Sequence, residues 1–347
     1  MRKHCRVLVT GAGSGVGQGI MKALRISGLP VTIISADIAP VNAGLYRADE
    51  AILFPKVESP DVLESIVGLL LMYHIDVVMV GSEFDLNFFS VNKELLLART
   101  GALVIVASFE TVRIAEDKWL TAEFLREHGL AHAESYLPAG FDEAVKCAEE
   151  WGYPVVLKTR RGTSSRHVHI LHDSQMLAKY WSGIPAPMLQ RVVDIPAQEL
   201  DNEYTCSVFK TADGTLLGPF TARRTLRGGT SWHVEVDHFV FLNSLLLNIG
   251  NCLNFTGSLN IQLMVGPTGP IPFELNARFS GTTAIRAQFG FNEPAMALKA
   301  FFYEETLEPP RIRKGLAMRY HEEVFIDDVG AMDMKPGQCK GYVNPWF

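Results

Sequence analysis

Gln262, Glu274, Asn276 and Arg278 bring two amides, a carboxylate and a guanidinium into one short stretch of chain. They lie in two apolar segments, SLNIQLMV (258–265) and IPFELNARFSG (271–281), joined by GPTG. Apolar runs around a Gly-Pro turn predict a β-hairpin. Side chains alternate along a strand, so Glu274, Asn276 and Arg278 share one face. The even separation of Gln262 and Glu274 sets them opposite each other in a hairpin centred on Thr268. Such a face offers oxygen ligands to a hard cation, with an arginine alongside. Mg²⁺ takes one or two protein ligands of this kind and completes its shell with phosphates and water. On an exposed sheet the same residues would be an ordinary salt bridge. The surrounding Ile271, Phe273, Leu275 and Phe279 argue for a buried sheet, where acid, amide and guanidinium need partners.

The elements that must hold this hairpin follow from the hydrophobic pattern. A chain of 347 residues suggests two to three domains at roughly 150 residues each. The first hundred residues alternate strand signals (6–10, 31–36, 76–80, 103–107) with helix signals (18–27, 60–73, 92–99). That alternation predicts a parallel sheet with right-handed crossovers, a Rossmann-like α/β domain ending near Phe109. The pattern then changes. Helices are predicted at 117–128, 141–151 and 174–181, and strands at 154–159 and 168–171. From 188 to 274 the signals are mainly strands with one helix near 238–252, and 294–303 reads as a closing helix. This second part is α+β. Residues beyond Pro309 read as a C-terminal extension.

With these segments in order, the chain resembles the ATP-grasp superfamily, in particular the carbamoyl-phosphate-synthase large-chain type. The resemblance rests on NIQ…FELNAR followed by AQFGFNEPAMALKA, and on three upstream segments: EDKWLTAEFLREHGLAHAES, GYPVVLKTRRGTSS and PMLQRVVDIPAQELDNEYTCSV. It implies that Gln262, Glu274 and Asn276 are ligands of Mg²⁺, two ions in all, and that Arg278 contacts the transferred phosphate. Lys118 and Lys158 become phosphate-side lysines of a lid, with Gly162, Thr163, Ser164 and Ser165 covering the ATP phosphates. Gln190 accompanies the adenine edge, the backbone of Arg191, Val192 and Val193 supplies its hydrogen bonds, and Glu203 holds the ribose, with Glu199 a competing choice. Two departures stand out: the lid loop is poorer in glycine than the family's, and Gln190 replaces an acid. The implied fold is a Rossmann-like (pre-ATP-grasp) domain over 1–110, an ATP-grasp domain over 111–310 with its lid at about 117–190, and an extension over 311–347.

The glycine segment VLVTGAGSGVGQG supports a different reading. Thr10, Gly11, Gly15 and Gly17 fit TGxxxGxG, and Asp37 lies where a ribose-binding acid would, as in a short-chain NAD(P)-dependent oxidoreductase. That chemistry also needs a Tyr-xxx-Lys pair. No tyrosine here has a lysine four residues later; Tyr153 and Lys158 are five apart. A tight strand-to-helix turn is the better account of these glycines. His167, His169 and His172 read as polar decoration of a strand rather than a metal cluster. Arg223, Arg224 and Arg227 flank a Gly-Gly turn that either grips an anion or forms a solvated hairpin tip.

The resemblance implies an ADP-forming ligase that activates a substrate carboxylate as an acyl phosphate for attack by an amine. Both substrates would meet in the cleft between residues 81–85 and the ATP-binding sheet. A non-catalytic ATP-binding sensor or assembly subunit is the remaining alternative. Composition narrows the partners. A net charge of −6 excludes a wholesale nucleic-acid binder. No apolar run approaches the ~18 residues of a membrane span. The N-terminus lacks the apolar centre of a signal peptide. Five scattered cysteines without a CxxC pair suit reduced thiols and a cytoplasmic protein. The extension either completes the pocket or makes a homodimer contact.

Overall fold

The first strand, β1 (Cys5–Val9), is apolar on both faces and is buried. Past Thr10 the chain turns into α1 (Gly15–Arg25), which Ser14 caps by accepting from the Gly17 N–H at 2.9 Å. Such a cap contributes about 1 kcal/mol. It starts the helix three residues before the apolar periodicity does. The computed structural model describes residues 2–162, 167–193 and 203–343. Next come β2 (Val31–Asp37), β3 (Glu50–Leu53), α2 (Val62–Met72), β4 (Val77–Met79), α3 (Leu86–Thr100) and β5 (Leu103–Ile105). The five strands form a parallel sheet in the order β3-β2-β1-β4-β5.

Two departures from the predicted elements have local causes. β3 has only four residues and no clear alternation; pairing with β2, as in Ser35↔Ala51, makes it a strand. α3 begins at Leu86, six residues before the predicted start, because Leu86 and Phe89 are buried against the core although no apolar stripe marks them.

The sheet changes winding direction at β1, whose neighbours are β2 and β4. A crevice opens beyond the carboxyl ends of such strands. Here the loops at its floor are packed tightly through glycine. A methyl on Gly17 would lie 2.3 Å from the Gly11 carbonyl oxygen, and one on Gly81 2.3 Å from that of Thr10. The glycines of the first turn therefore have a packing reason, the close approach of two loops. Asp37 accepts the Gly13 N–H at 2.8 Å and so braces the same turn.

α4 (Phe109–Glu116) and α5 (Lys118–Glu127) follow, the latter capped by buried Asp117. A small antiparallel sheet, β6-β9-β7-β8, is built from β6 (Ser135–Tyr136), β7 (Val155–Thr159), β8 (Val168–Leu171) and β9 (Pro187–Arg191). With α6 (Phe141–Trp151) and α7 (Ser174–Trp181) it encloses its own core of Ala144, Leu157, Leu171, Leu177 and Leu189. α5 packs elsewhere: Phe124 and Leu125 belong to the core shared by the two larger sheets.

The third sheet contains β10 (Glu203–Lys210), β11 (Leu216–Phe220), β12 (Ala222–Arg227), β13 (Thr230–Val236), β14 (Gly257–Gly266) and β15 (Gly269–Asn276), with α8 (Asn243–Cys252) crossing between β13 and β14. α9 (Thr283–Gln288), which has no counterpart among the predicted elements, precedes α10 (Glu293–Ala297). A π-helical turn at Leu298–Phe302 completes the predicted closing helix. Last comes β16 (Gly315–Met318), so part of the extension is a sheet strand. The order is β15-β14-β10-β12-β13-β16, with β11 beside β10. Two cores join this sheet to the parallel one: Leu8, Ile34 and Phe89 pack with Leu259 and Ile261, and Val7, Ile20 and Met79 with Phe209 and Phe291.

The β14–β15 hairpin pairs Gln262 with Glu274, as the spacing predicts, but by another route. The tip pairs Gly266 with Gly269 and Leu263 with Pro272, so the loop is Pro267–Thr268. Continued unbroken, that register would set Gln262 against Phe273. A bulge between Gln262 and Leu263 absorbs one residue and restores the Gln262–Glu274 and Asn260–Asn276 pairs. Among the described residues no helix is long and apolar enough to cross a membrane. All five cysteines are free thiols.

Candidate functional site

Glu274 is the acceptor at the centre of the polar face. Its Oε1 receives Asn276 Nδ2 at 2.9 Å and Gln262 Nε2 at 3.4 Å. Arg224 of β12 reaches the same group: Nη2 donates to Gln262 Oε1 at 2.8 Å and Nε to Glu203 Oε1 at 3.0 Å. Arg278, just past β15, donates to Glu83 Oε2 at 3.1 Å and ties the hairpin to the loop after β4. Among the described residues no group of three or more His, Cys, Asp or Glu gathers as a metal cage. One carboxylate with two amide oxygens suits a hard cation that takes its other ligands from phosphate and water, and a soft metal poorly.

Two cavities meet at this face. The larger, about 650 Å³, is lined by Asn260, Gln262, Glu274 and Arg278 on the antiparallel side and by Gly11, Ser14, Gly81, Glu83 and Asp85 on the parallel side. It occupies the crevice at the sheet's change of winding. The smaller, about 250 Å³, adds Lys118, Arg161, Gly162 and Asn276, and shares Glu83, Phe84, Glu274 and Arg278 with the first. The predicted cleft at residues 81–85 is thus a cavity bordered by the predicted ligands.

Lys158 stands in β7, almost fully buried, and donates to Gln190 Oε1 at 2.8 Å. Burial and the nearby charge of Lys118 bring its ammonium down to about 7, with Glu274 opposing the shift. Lys118 Nζ donates to the Gly162 carbonyl at 2.7 Å, so this glycine is engaged through its C=O. Gln190 continues the chain by donating to Ser135 Oγ at 2.9 Å. Of the expected adenine hinge, Arg191 already gives its N–H to the Glu134 carbonyl at 2.9 Å; Val192 and Val193 follow directly after β9. Thr163, Ser164, Ser165 and Glu199 lie outside the described residues.

Behind the face runs a buried ion pair. Arg286 of α9 and Glu293 of α10 are fully buried and meet at 3.1 Å. Arg286 also donates to Asn260, and Ser207 Oγ donates to Glu293 at 2.6 Å. Asn260, two residues from Gln262, is thereby fixed from below.

No family model matches the chain. Curated relatives include the carbamoyl phosphate synthase arginine-specific large chain of Cutaneotrichosporon cutaneum, 24% identical over 82% of this chain and 26% of the relative. The carbamoyl phosphate synthase large chain of Thermoanaerobacter sp. (strain X514) is 23% identical over 82% of this chain and 28% of the relative. The chain therefore spans about a quarter of the length of the relatives it matches. Among solved structures, N5-carboxyaminoimidazole synthetase from Staphylococcus aureus complexed with ADP superposes with a TM-score of 0.73 at 13% identity, covering 99% of this chain and 93% of the other. A biotin carboxylase β-γ-ATP complex from Campylobacter jejuni gives 0.71 at 16% identity, covering 90% and 74%. The chain has an ATP-grasp fold.

Within the ATP-grasp fold, the other candidate groups sort by their partners. Asp37, the acid of the oxidoreductase reading, is spent on the Gly13 N–H, and the buried Tyr153 hydroxyl has no partner among the described residues while Lys158 is held by Gln190. Among the described residues Tyr153 and Lys158 form no proton-transfer pair. His169 stacks on Tyr180 at 4.2 Å. Arg223 pairs with Glu235 and Arg227 lies over Trp232, which leaves Arg224 as the arginine of that trio lining the cavity. Arg224 entered the sequence reading only as one of three arginines, and Glu83 and Asp85 only within the cleft range 81–85; Asn260, which also lines the cavity, was not selected. Strand alternation from Gln262 would have found Asn260.

Proposed function

We propose that the chain is an ATP-dependent, ADP-forming ligase that joins a carboxylate to an amine. The carrying observation is the convergence of Gln262, Glu274 and Asn276 beside Arg278 on the wall shared by both cavities. Residues 1–110 would serve as the Rossmann-like (pre-ATP-grasp) domain, 111–310 as the ATP-grasp domain, and 311–347 as an addition to it. A substrate carboxylate oxygen attacks the γ-phosphorus of ATP and ADP leaves. The amine nitrogen then attacks the acyl carbon and phosphate leaves. Gln262, Glu274 and Asn276 would hold two Mg²⁺ ions, which supply charge neutralisation and alignment of the phosphates. Arg278 stabilises the equatorial phosphoryl oxygens, and its bond to Glu83 fixes its orientation. Lys118 and Lys158 contact phosphate oxygens, residues 162–165 cover them, and Glu203 takes the ribose hydroxyls on Oε2 while Oε1 keeps Arg224. Gln190 borders the adenine with the backbone at Arg191, Val192 and Val193. Asp85, which burial pushes up to about 6, lies on the cavity wall where it can take the proton the amine must lose.

The separate core beneath β7–β9 lets this small sheet move as a unit and close over the phosphates. ADP release measured over a panel of carboxylates and amines tests the reading. Turnover by one pair supports it; ATP binding without turnover by any pair favours a sensor.

Lys158 makes the nucleotide affinity depend on pH. Its amine is largely neutral above pH 7, so a polyphosphate binding there must bring in a proton. Mg-ADP affinity is therefore expected to weaken from pH 7 to pH 9, by up to about tenfold per unit. Calorimetry in two buffers should show proton uptake, and Lys158→Arg should flatten the profile because a guanidinium stays charged. Stability runs the opposite way. The folded chain holds fewer protons than the unfolded one between about 7 and 10.5, so the cost of burying Lys158 is full below pH 7 and fades as pH rises.

A further inference from the structure

Three arginines line the larger cavity, and two of them have carboxylate partners: Arg224 has Glu203 and Arg278 has Glu83. Arg319 has none among the described residues. It follows β16, which pairs with β13 through His233↔Met318, and its own N–H donates to the Trp232 carbonyl at 2.9 Å. Its guanidinium is held by neutral groups alone, Nε donating to the Ser231 carbonyl at 2.7 Å and Nη2 to that of Gly281. Burial holds the Arg319 group below its ordinary range with no carboxylate to offset it. A half-buried cation without a counter-charge is costly, and an anionic ligand removes that cost. The guanidinium fork suits a carboxylate or phosphate, and among the described residues only two of its five N–H groups have partners.

Position decides which anion. Arg319 borders the larger cavity alone, whereas Lys118, Arg161 and Gly162 border the smaller one. It is thus set apart from the lysine side of the expected phosphoryl centre, while Glu274 and Arg278 border both cavities. The wall given by the parallel-sheet half carries Asp37, Glu58 and Asp85 against one cation, Lys56, so on balance it repels an anion and leaves that side to the amine. We propose that Arg319 anchors a second anionic group of the substrate, a carboxylate or phosphate distant from the carboxylate that reacts. The inference rests on the ligase reading and adds a substrate class: compounds acidic at two points. It also gives the C-terminal strand a task, since β16 completes the site by delivering this residue.

Isothermal titration of the full chain saturated with Mg-ADP, using succinate and inorganic phosphate as probes, tests the assignment. At least one probe should bind in the millimolar range or tighter, and which one binds separates carboxylate from phosphate recognition. Arg319→Gln should weaken it by about tenfold or more, with Arg319→Lys between. Gly281→Asp offers an independent variant: a side chain there meets nothing within 4 Å, and its carboxylate would neutralise Arg319 in place. It should abolish probe binding while Mg-ADP affinity holds. If neither probe binds, or if both Arg319→Gln and Gly281→Asp bind like wild type, the assignment is overturned and the ligase reading stands. Failure of Mg-ADP itself to bind overturns the ligase reading, and this assignment with it.

Discussion

Glu274→Ala is expected to lower Mg-ATP turnover by on the order of 10³-fold while the protein stays folded. The size of the effect follows from the makeup of the face. Glu274 is the single carboxylate among the three candidate ligands, and the amides of Gln262 and Asn276 both donate to it. Its removal takes the only formal negative charge from the ligand set and leaves both amides to reorient. A second consequence falls on Lys158, whose ammonium Glu274 helps to keep charged. Without the carboxylate its pKa drops further, so the pH at which nucleotide affinity begins to fall moves down as well. Stability should change by about 1 kcal/mol, the scale of the hydrogen bonds lost at a half-buried site. ADP release and thermal melting on the same sample measure both. A substrate-free readout is available too: Mg²⁺ should tighten ADP binding in the wild type and not in the variant. Turnover near wild type would remove Glu274 from the metal site.

Arg286→Met is expected to destabilise the fold by about 3–5 kcal/mol, because it strands the Glu293 carboxylate in a fully buried position. Glu293 Oε1 also accepts from Ser207 and Ser258, so the hydroxyls cannot simply turn away from the loss. Pairing the change with Glu293→Gln removes the buried charge while keeping an acceptor for both serines. The double variant should recover most of the stability in urea unfolding. If the two single changes were additive, the ion pair would not be the source of the effect. Activity should fall in the double variant even where the fold recovers, since Asn260 loses the guanidinium that fixes it beside Gln262.

What the sequence made legible divides along the range of the interactions. The helices at 141–151 and 174–181 and the strand at 168–171 emerge where predicted, because local periodicity, and for the second helix the Asp173 cap, determine them. The Gln262–Glu274 pair was legible from parity, yet the parity held only because a bulge offsets the two-residue tip. Lys158 was visible as a lysine in a strand. Its depressed ammonium was not, since that depends on burial by residues distant in sequence. Arg286 and Glu293 carry no local mark of being buried. Arg319 belongs to a segment with no motif, and only the long-range pairing of β13 with β16 brings it to the cavity. Arg224 stood among three arginines that spacing could not separate.

The bulge in the β14–β15 hairpin also has a meaning for protein engineering. The alignment of Gln262 with Glu274 is set on the inner side of that irregularity, whereas the tip at Pro267–Thr268 is aligned on the outer side. Loop length and ligand alignment are thus uncoupled. A grafted tip, a tag or a fluorophore at 267–268 should leave the Gln262–Glu274 face untouched, and the hairpin end becomes a handle for following nucleotide binding.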